Sequence, residues 1–111
     1  MRDEQNIVQL FTISPLGGEP TQLTHNEHDI GSAFTWSREG KFIAHVYDHS
    51  VCLTETATGK TTRLTPRTPD ETTPRPEACV LSPDGSKVAY VRRMFDKGEW
   101  FNQIFVCNTS Q

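Results

Sequence analysis

The sequence is poor in the residues on which a self-contained domain of its length relies. Only 34% of its 111 residues belong to the set AVILMFWYC, and its three cysteines include no C-x-x-C pair. No apolar run has the length of a membrane-spanning helix or a signal peptide. The net charge is −3, with acidic and basic residues interspersed, so the composition indicates neither nucleic-acid nor membrane-surface binding. The low apolar content favours sheets that share their apolar contacts with neighbouring sheets.

The cysteines give little information about chemistry. Cys52, Cys79 and Cys107 all fall in segments with strand-like composition, and we interpret them as small buried hydrophobic residues. An odd number leaves at least one thiol unpaired within the chain, so the redox compartment stays open.

Two segments repeat one another at a fixed spacing. Residues 37–44, Ser-Arg-Glu-Gly-Lys-Phe-Ile-Ala, align with residues 82–89, Ser-Pro-Asp-Gly-Ser-Lys-Val-Ala, at a constant offset of 45 residues. This period is typical of a β-propeller, in which each repeat forms one four-stranded blade. Because a closed propeller has roughly four to eight blades and only about two and a half repeats fit here, we expect a piece of a larger ring.

Short runs of β-forming residues between turn residues predict an all-β, antiparallel fold. The predicted strands are 9–13, 21–24, 32–36, 42–47, 51–55, 61–64, 78–81, 87–92 and 103–107. We letter the strands of a blade A to D outward from the propeller axis. The repeated Ser-x-x-Gly turn then joins A to B and fixes the phase of the other strands.

This phase divides the chain into parts of three blades. Residues 1–30 are predicted to hold strands C and D of one blade, and residues 31–65 a complete blade. Residues 66–76 are predicted to form a proline-rich loop, because prolines cannot donate to a ladder. Residues 77–111 are predicted to hold strands A, B and C of a partial blade, with a polar loop between B and C.

At these positions the sequence resembles the TolB-like propeller repeat. The matching residues are Gly17-Gly18-Glu19, Gln22-Leu23-Thr24, Trp36-Ser37 with Gly40, and Ser82-Pro83-Asp84-Gly85. The segment between Ile7 and Phe34 is similar to the C-terminal end of an uncharacterised bacterial TolB-like family. The resemblance implies a propeller without an established activity. By analogy with TolB it implies the bacterial periplasm, with the cytoplasm left open.

Two functions follow from the resemblance. The first is a non-catalytic scaffold that binds a protein or peptide partner. The alternative is part of a propeller enzyme that acts on acidic sugars with a divalent metal held by histidines. The chain has no G-x-S-x-G, P-loop or dinucleotide motif, so it offers no catalytic residue of those kinds. We also expect self-association through open strand C edges, since an unpaired strand edge templates pairing.

Propeller topology places the D–A and B–C connections on one face, which we call the loop face. Polar loops on a rigid sheet are where binding residues concentrate. The candidate binding residues on this face are His25, His28, Asp29, Asp48, His49, Arg92 and Arg93.

The sharpest hypothesis for the loop face is a metal site. His25, His28 and His49 supply three imidazoles, and Asp29 or Asp48 supplies a further ligand or its hydrogen-bond partner. The competing interpretation is that these histidines are solvated and that Asp29 caps its loop through backbone N–H groups. Arg92 and Arg93 grip an anionic sugar or a peptide carboxylate in one interpretation and lie in a solvated turn in the other. His45 alternates with apolar residues and is expected to pack within strand B.

Overall fold

The computed structural model describes residues 1–110, without the side chains of residues 31–33, 70, 76 and 77. Within that part of the chain there are nine strands in three antiparallel sheets. The first sheet holds β1 (Phe11–Thr12) and β2 (Thr21–Gln22). The second holds β3 (Ile30–Trp36), β4 (Phe42–Tyr47), β5 (Ser50–Glu55) and β6 (Thr61–Arg63). The third holds β7 (Pro74–Leu81), β8 (Lys87–Asp96) and β9 (Glu99–Asn108).

Strand order within each sheet follows the chain. The described residues form no α-helix, and one 3-10 turn spans Asp70–Thr72. None of their helices has the length and apolar character needed to cross a bilayer. The prediction of an all-β fold of antiparallel sheets is therefore confirmed.

The two Ser-x-x-Gly turns have the same hydrogen bonds. In the first, the Gly40 N–H donates to the Ser37 carbonyl at 2.9 Å, and the Phe42 N–H donates to Ser37 Oγ at 3.1 Å. In the second, the equivalent bonds from Gly85 and Lys87 to Ser82 measure 2.9 and 3.0 Å. Both glycines have positive φ, 75° and 76°. The offset of 45 residues is thus a structural repeat.

The main core lies between the second and third sheets. Its buried residues are Ala44, Val46, Val51, Cys79, Leu81, Val88 and Tyr90. The Thr35 hydroxyl joins β3 of the second sheet to β7 of the third. It accepts a hydrogen bond from the Leu81 N–H at 2.8 Å and donates one to the Cys79 carbonyl at 3.4 Å. One side chain therefore satisfies two backbone groups at the edge of β7, where no further strand pairs.

The third sheet departs from the prediction in two places. Strand β7 begins at Pro74, inside the predicted loop, and pairs Pro74 with Arg92 before its register shifts ahead of Cys79. Proline is tolerated at the first position of a strand and at bulges. The predicted polar loop between B and C is also wrong, because β8 and β9 continue to a tight turn at Lys97-Gly98. Both turn residues have positive φ, as a type I′ hairpin turn requires.

A second contact joins the first sheet to the second. Leu10, Ile30 and Ile43 form a small buried cluster. Gly59, in the turn before β6, lies against the Leu23 backbone so closely that a Cβ at Gly59 would overlap the Leu23 carbonyl oxygen. Gly40 has the same φ of 75°, with open space where a Cβ would be. A comparison of alanine substitutions at Gly40 and Gly59 therefore distinguishes the cost of backbone strain from the cost of steric overlap.

We expect Gly59→Ala to destabilise the chain more than Gly40→Ala. Each substitution places alanine in the left-handed backbone conformation, which costs about 1–2 kcal/mol. Only Gly59→Ala also creates an overlap with Leu23, which is relieved only if the first sheet moves away from the second. Urea unfolding of both variants measures the difference. Equal losses in the free energy of unfolding would show that the first sheet does not pack as described.

Candidate functional site

Four of the predicted binding residues line one hollow on the loop face. His28, Asp29, Asp48 and His49 surround a space of about 320 Å³, together with residues of β4 and the start of β7. The connections before β3, after β4 and before β7 therefore meet on one side of the sheets. The two Ser-x-x-Gly turns line a separate hollow, which includes Ser37 and Asp84.

Asp48 is a charged group of this hollow that has two arginine partners. It forms a two-residue turn with His49, with φ values of 47° and 65°. Its carboxylate accepts hydrogen bonds from Arg63 at 3.0 Å and from Arg67 at 2.9 Å. Burial acts to raise the pKa of Asp48, but the two guanidinium groups outweigh it and the net shift is downward. Asp48 therefore holds Arg63 at the end of β6 and Arg67 in the segment that follows it.

Asp29 ties the loop before β3 to the beginning of the chain. Its Oδ1 accepts the Val8 N–H at 2.8 Å, and Arg2 lies 3.6 Å from the same oxygen. The Val8 carbonyl in turn accepts the Ile30 N–H at 3.1 Å. This geometry fits the expected cap, in which a carboxylate holds a loop through a backbone N–H.

The three histidines of the proposed metal site have separate neighbours. His25 Nδ1 lies 3.1 Å from the Gln22 side chain, and the His28 ring lies 6.1 Å from the Tyr47 ring. The His49 carbonyl accepts two hydrogen bonds from Thr68. Among the side chains that the structure describes, no three from His, Cys, Asp or Glu come together as a metal-binding group. The structure thus does not bring the three imidazoles together as the predicted site.

His45 packs inside the second sheet, as its alternation indicated. It is fully buried, and its Nε2 lies 2.7 Å from Thr54 Oγ1, which lies 2.8 Å from Thr61 Oγ1. Burial lowers the pKa of His45 from 6.5 to about 4. The ring is therefore neutral at pH 7 and holds strands β4 to β6 together through hydroxyl groups.

The two predicted arginines lie in the third sheet and already have partners. Arg92 Nε donates to the Thr72 carbonyl at 2.7 Å, and its guanidinium is 5.4 Å from the centre of the Phe105 ring. The Arg93 guanidinium lies 4.5 Å over the Trp100 ring. Neither lies in a solvated turn, because β8 continues past both residues.

The sequence reasoning missed an aromatic surface at the end of the third sheet. Beyond Arg93, which is the repeat equivalent of Asp48, β8 and β9 continue for three further residue pairs, 94–96 with 99–101. We call this extension the aromatic arm. Phe95 and Trp100 pair across it with ring centres 5.0 Å apart and are 54% and 44% exposed. Gly98, placed between two segments that carry aromatic residues, was the sequence signal available for this hairpin.

The cysteines have the environment of structural residues. Cys52 and Cys79 are buried, Cys107 is half-buried, and all three are free thiols. Burial raises the pKa of Cys52 to about 11 and that of Cys79 to about 12. Their thiols are therefore protonated at neutral pH and are poor nucleophiles.

Comparison with known proteins finds a relative and a structural neighbour. The chain is 43% identical over 91 residues to the uncharacterised protein YidR of Escherichia coli K12, an alignment that covers 82% of this chain and 21% of the relative. The chain thus spans about one fifth of the length of that curated relative. A search against protein-family descriptions finds no match.

The structural neighbour is the crystal structure of the tricorn protease, a β-propeller protein. The TM-score is 0.62 at 21% identity, and the match covers 83% of this chain and 9% of that one. A likeness at this identity shows the fold alone. It confirms the prediction of a partial β-propeller made of antiparallel blades.

The buried His45 makes stability depend on pH in a defined window. The unfolded chain takes up a proton near pH 6.5, whereas the folded chain resists protonation of His45 until about pH 4. The free energy of unfolding therefore falls between pH 6.5 and pH 4, by about 3 kcal/mol. Urea unfolding of His45→Gln should show a weaker pH dependence in this window.

His25→Gln is the control, because it makes the same substitution at an exposed position outside the second sheet. If His45→Gln keeps the pH dependence of the unaltered chain, His45 is not the buried titrating group.

Proposed function

We propose that this chain is a TolB-like propeller segment that binds a protein or peptide partner without catalysing a reaction on it. The observation that carries the proposal is the aromatic arm, which exposes Phe95 and Trp100 beyond the end of the neighbouring blade. Aromatic and arginine side chains are the residues that most often dominate protein interfaces. The TolB resemblance supports a partner of the protein class.

The arm is suited to recognition because its exposed rings already have contacts within the arm. The Phe95 and Trp100 rings contact each other, and the Arg93 guanidinium lies over the Trp100 ring. A cation over an aromatic ring is attracted by its negative face, and the contact limits the motion of both side chains. Binding of a partner here therefore costs less free energy for the ordering of side chains on this surface.

The hollow on the loop face adjoins the start of β7, in the same sheet as the aromatic arm, and polar groups line it. The Asp48 carboxylate with its arginines and the exposed His28 supply charges and donors beside β7. An apolar anchor beside a polar rim is the usual anatomy of a protein interface. We therefore assign the arm the role of anchor and the loop hollow that of rim.

Binding of peptides selected against the chain tests the proposal. Peptides are selected from a random-sequence display library, and their dissociation constants are measured by fluorescence anisotropy of a labelled peptide. We expect Trp100→Ala to raise the dissociation constant more than tenfold, because truncation of a central aromatic anchor costs about 2 kcal/mol or more.

Leu16→Ala is the matched control, because Leu16 is 98% exposed in the turn between β1 and β2 and lies outside the arm. It should leave the dissociation constant unchanged. Peptides that bind Trp100→Ala as tightly as the unaltered chain, or a failure to select any peptide, would contradict the proposal.

A further inference from the structure

The aromatic arm has a second face, on the side opposite Trp100. Strands β8 and β9 pair Met94 with Phe101 on this side. They also pair Asp96 with Glu99. Because side chains alternate between the two faces of a sheet and paired residues share a face, these four side chains lie together. We call this surface the acidic face of the arm.

The acidic face extends past the sheet that covers the rest of its side. Tyr90, which lies four residues before Met94 and on the same face, is buried in the core between the second and third sheets. The second sheet ends at the turn that begins with Asp48, and the arm continues beyond the equivalent position in β8. Phe101 accordingly remains 42% exposed.

The two carboxylates of the acidic face stand directly opposite one another. Asp96 and Glu99 form the last residue pair before the turn at Lys97-Gly98, and both are exposed. Among the described side chains, neither carboxylate takes part in an ion pair. Like charges at directly opposite positions of two strands destabilise the pair. A cation bound between these two groups would therefore relieve their repulsion.

The third sheet shows twice which cation its aromatic rings accept. The Arg92 guanidinium lies 5.4 Å from the centre of the Phe105 ring, and the Arg93 guanidinium lies 4.5 Å from the centre of the Trp100 ring. Phe101 has no such contact within the described part of the chain. It lies two residues from the second carboxylate of the acidic face, about 7 Å along β9, so one guanidinium can contact both the ring and the carboxylates.

We propose that the acidic face binds an arginine of the partner polypeptide, whose guanidinium lies over the Phe101 ring and donates hydrogen bonds to Asp96 and Glu99. A planar guanidinium suits this position, because it stacks on a ring and presents several N–H donors in a fixed geometry. A lysine ammonium is a compact charge without a planar face. The inference rests on the proposed function, because it names a residue of the partner that docks on the aromatic arm.

The probes are peptides that are selected on the chain from a random-sequence display library and whose binding Trp100→Ala weakens. We expect these peptides to contain an arginine. Its replacement by citrulline, which keeps the shape and removes the charge, should raise the dissociation constant about fivefold or more. Replacement by lysine should also weaken binding, because lysine cannot stack on Phe101 in the same way. Fluorescence anisotropy of labelled peptides measures each dissociation constant.

A double variant, Asp96→Asn with Glu99→Gln, identifies the groups that the arginine contacts. It should raise the dissociation constant of the arginine peptide by a similar factor and leave that of the citrulline peptide unchanged, because the two changes remove the same interaction. The variant removes a like-charge pair, so its midpoint of urea unfolding should equal or exceed that of the unaltered chain. Weaker binding is then not a result of unfolding.

The matched control is a second double variant, Glu19→Gln with Glu39→Gln. It removes the same charge from two exposed positions outside the arm. It should keep the dissociation constant of the arginine peptide, which separates a local contact from an effect of net charge.

Three results would overturn the inference and leave the proposed function intact. The first is a set of Trp100-dependent peptides in which no change of arginine to citrulline alters the dissociation constant. The second is an arginine peptide that binds the Asp96→Asn, Glu99→Gln variant as tightly as the unaltered chain. The third is equal binding of lysine and arginine peptides. Peptide binding that does not depend on Trp100 would instead contradict the proposed function, and a failure to select any peptide would contradict both.

Discussion

The packing of the second sheet on the third is the interaction on which the rest of the structure depends. Ala44 and Val46 meet Leu81 and Val88 there, in the largest buried cluster of the described residues. The Thr35 hydroxyl adds a polar contact at the inner edge, where Leu81 and Cys79 have backbone groups without a further strand. Because an unpaired buried N–H costs free energy comparable to a lost hydrogen bond, Thr35 fixes the register of one blade on the next.

The sheets in turn decide where chemistry is possible. The repeated Ser-x-x-Gly turns occupy one end of the sheets with short, internally bonded connections. The longer connections and the aromatic arm lie at the other end, and several of their side chains contact one another. Asp48 holds two arginines, and Arg93 covers Trp100. This arrangement supports the proposed role in recognition, because it presents paired side chains beside a hollow.

Turn motifs in the sequence predicted the fold, whereas strand pairing and side-chain contacts decided the features that these motifs did not predict. Gly40 and Gly85 mark turns because only glycine adopts their positive φ without strain, so the sequence predicted both turns and the phase of the strands. Pro74 and the charged residues around Gly98 suggested loops, but pairing with Arg92 and between Phe95 and Trp100 makes these segments strands. His25, His28 and His49 share a face in the predicted topology, yet Gln22 contacts the ring of His25, Tyr47 lies beside that of His28, and the three rings do not form one group. No spacing in the sequence encodes such side-chain choices.

Amide exchange at Leu81 tests the packing of the blades most directly. Its N–H points away from β8 and is protected only by the Thr35 hydroxyl of the neighbouring sheet. The account predicts slow exchange of this amide, comparable to that of the ladder amides of β8, and much faster exchange in Thr35→Val. Fast exchange at Leu81 in the unaltered chain, or slow exchange that persists in Thr35→Val, would contradict the packing of the second sheet on the third.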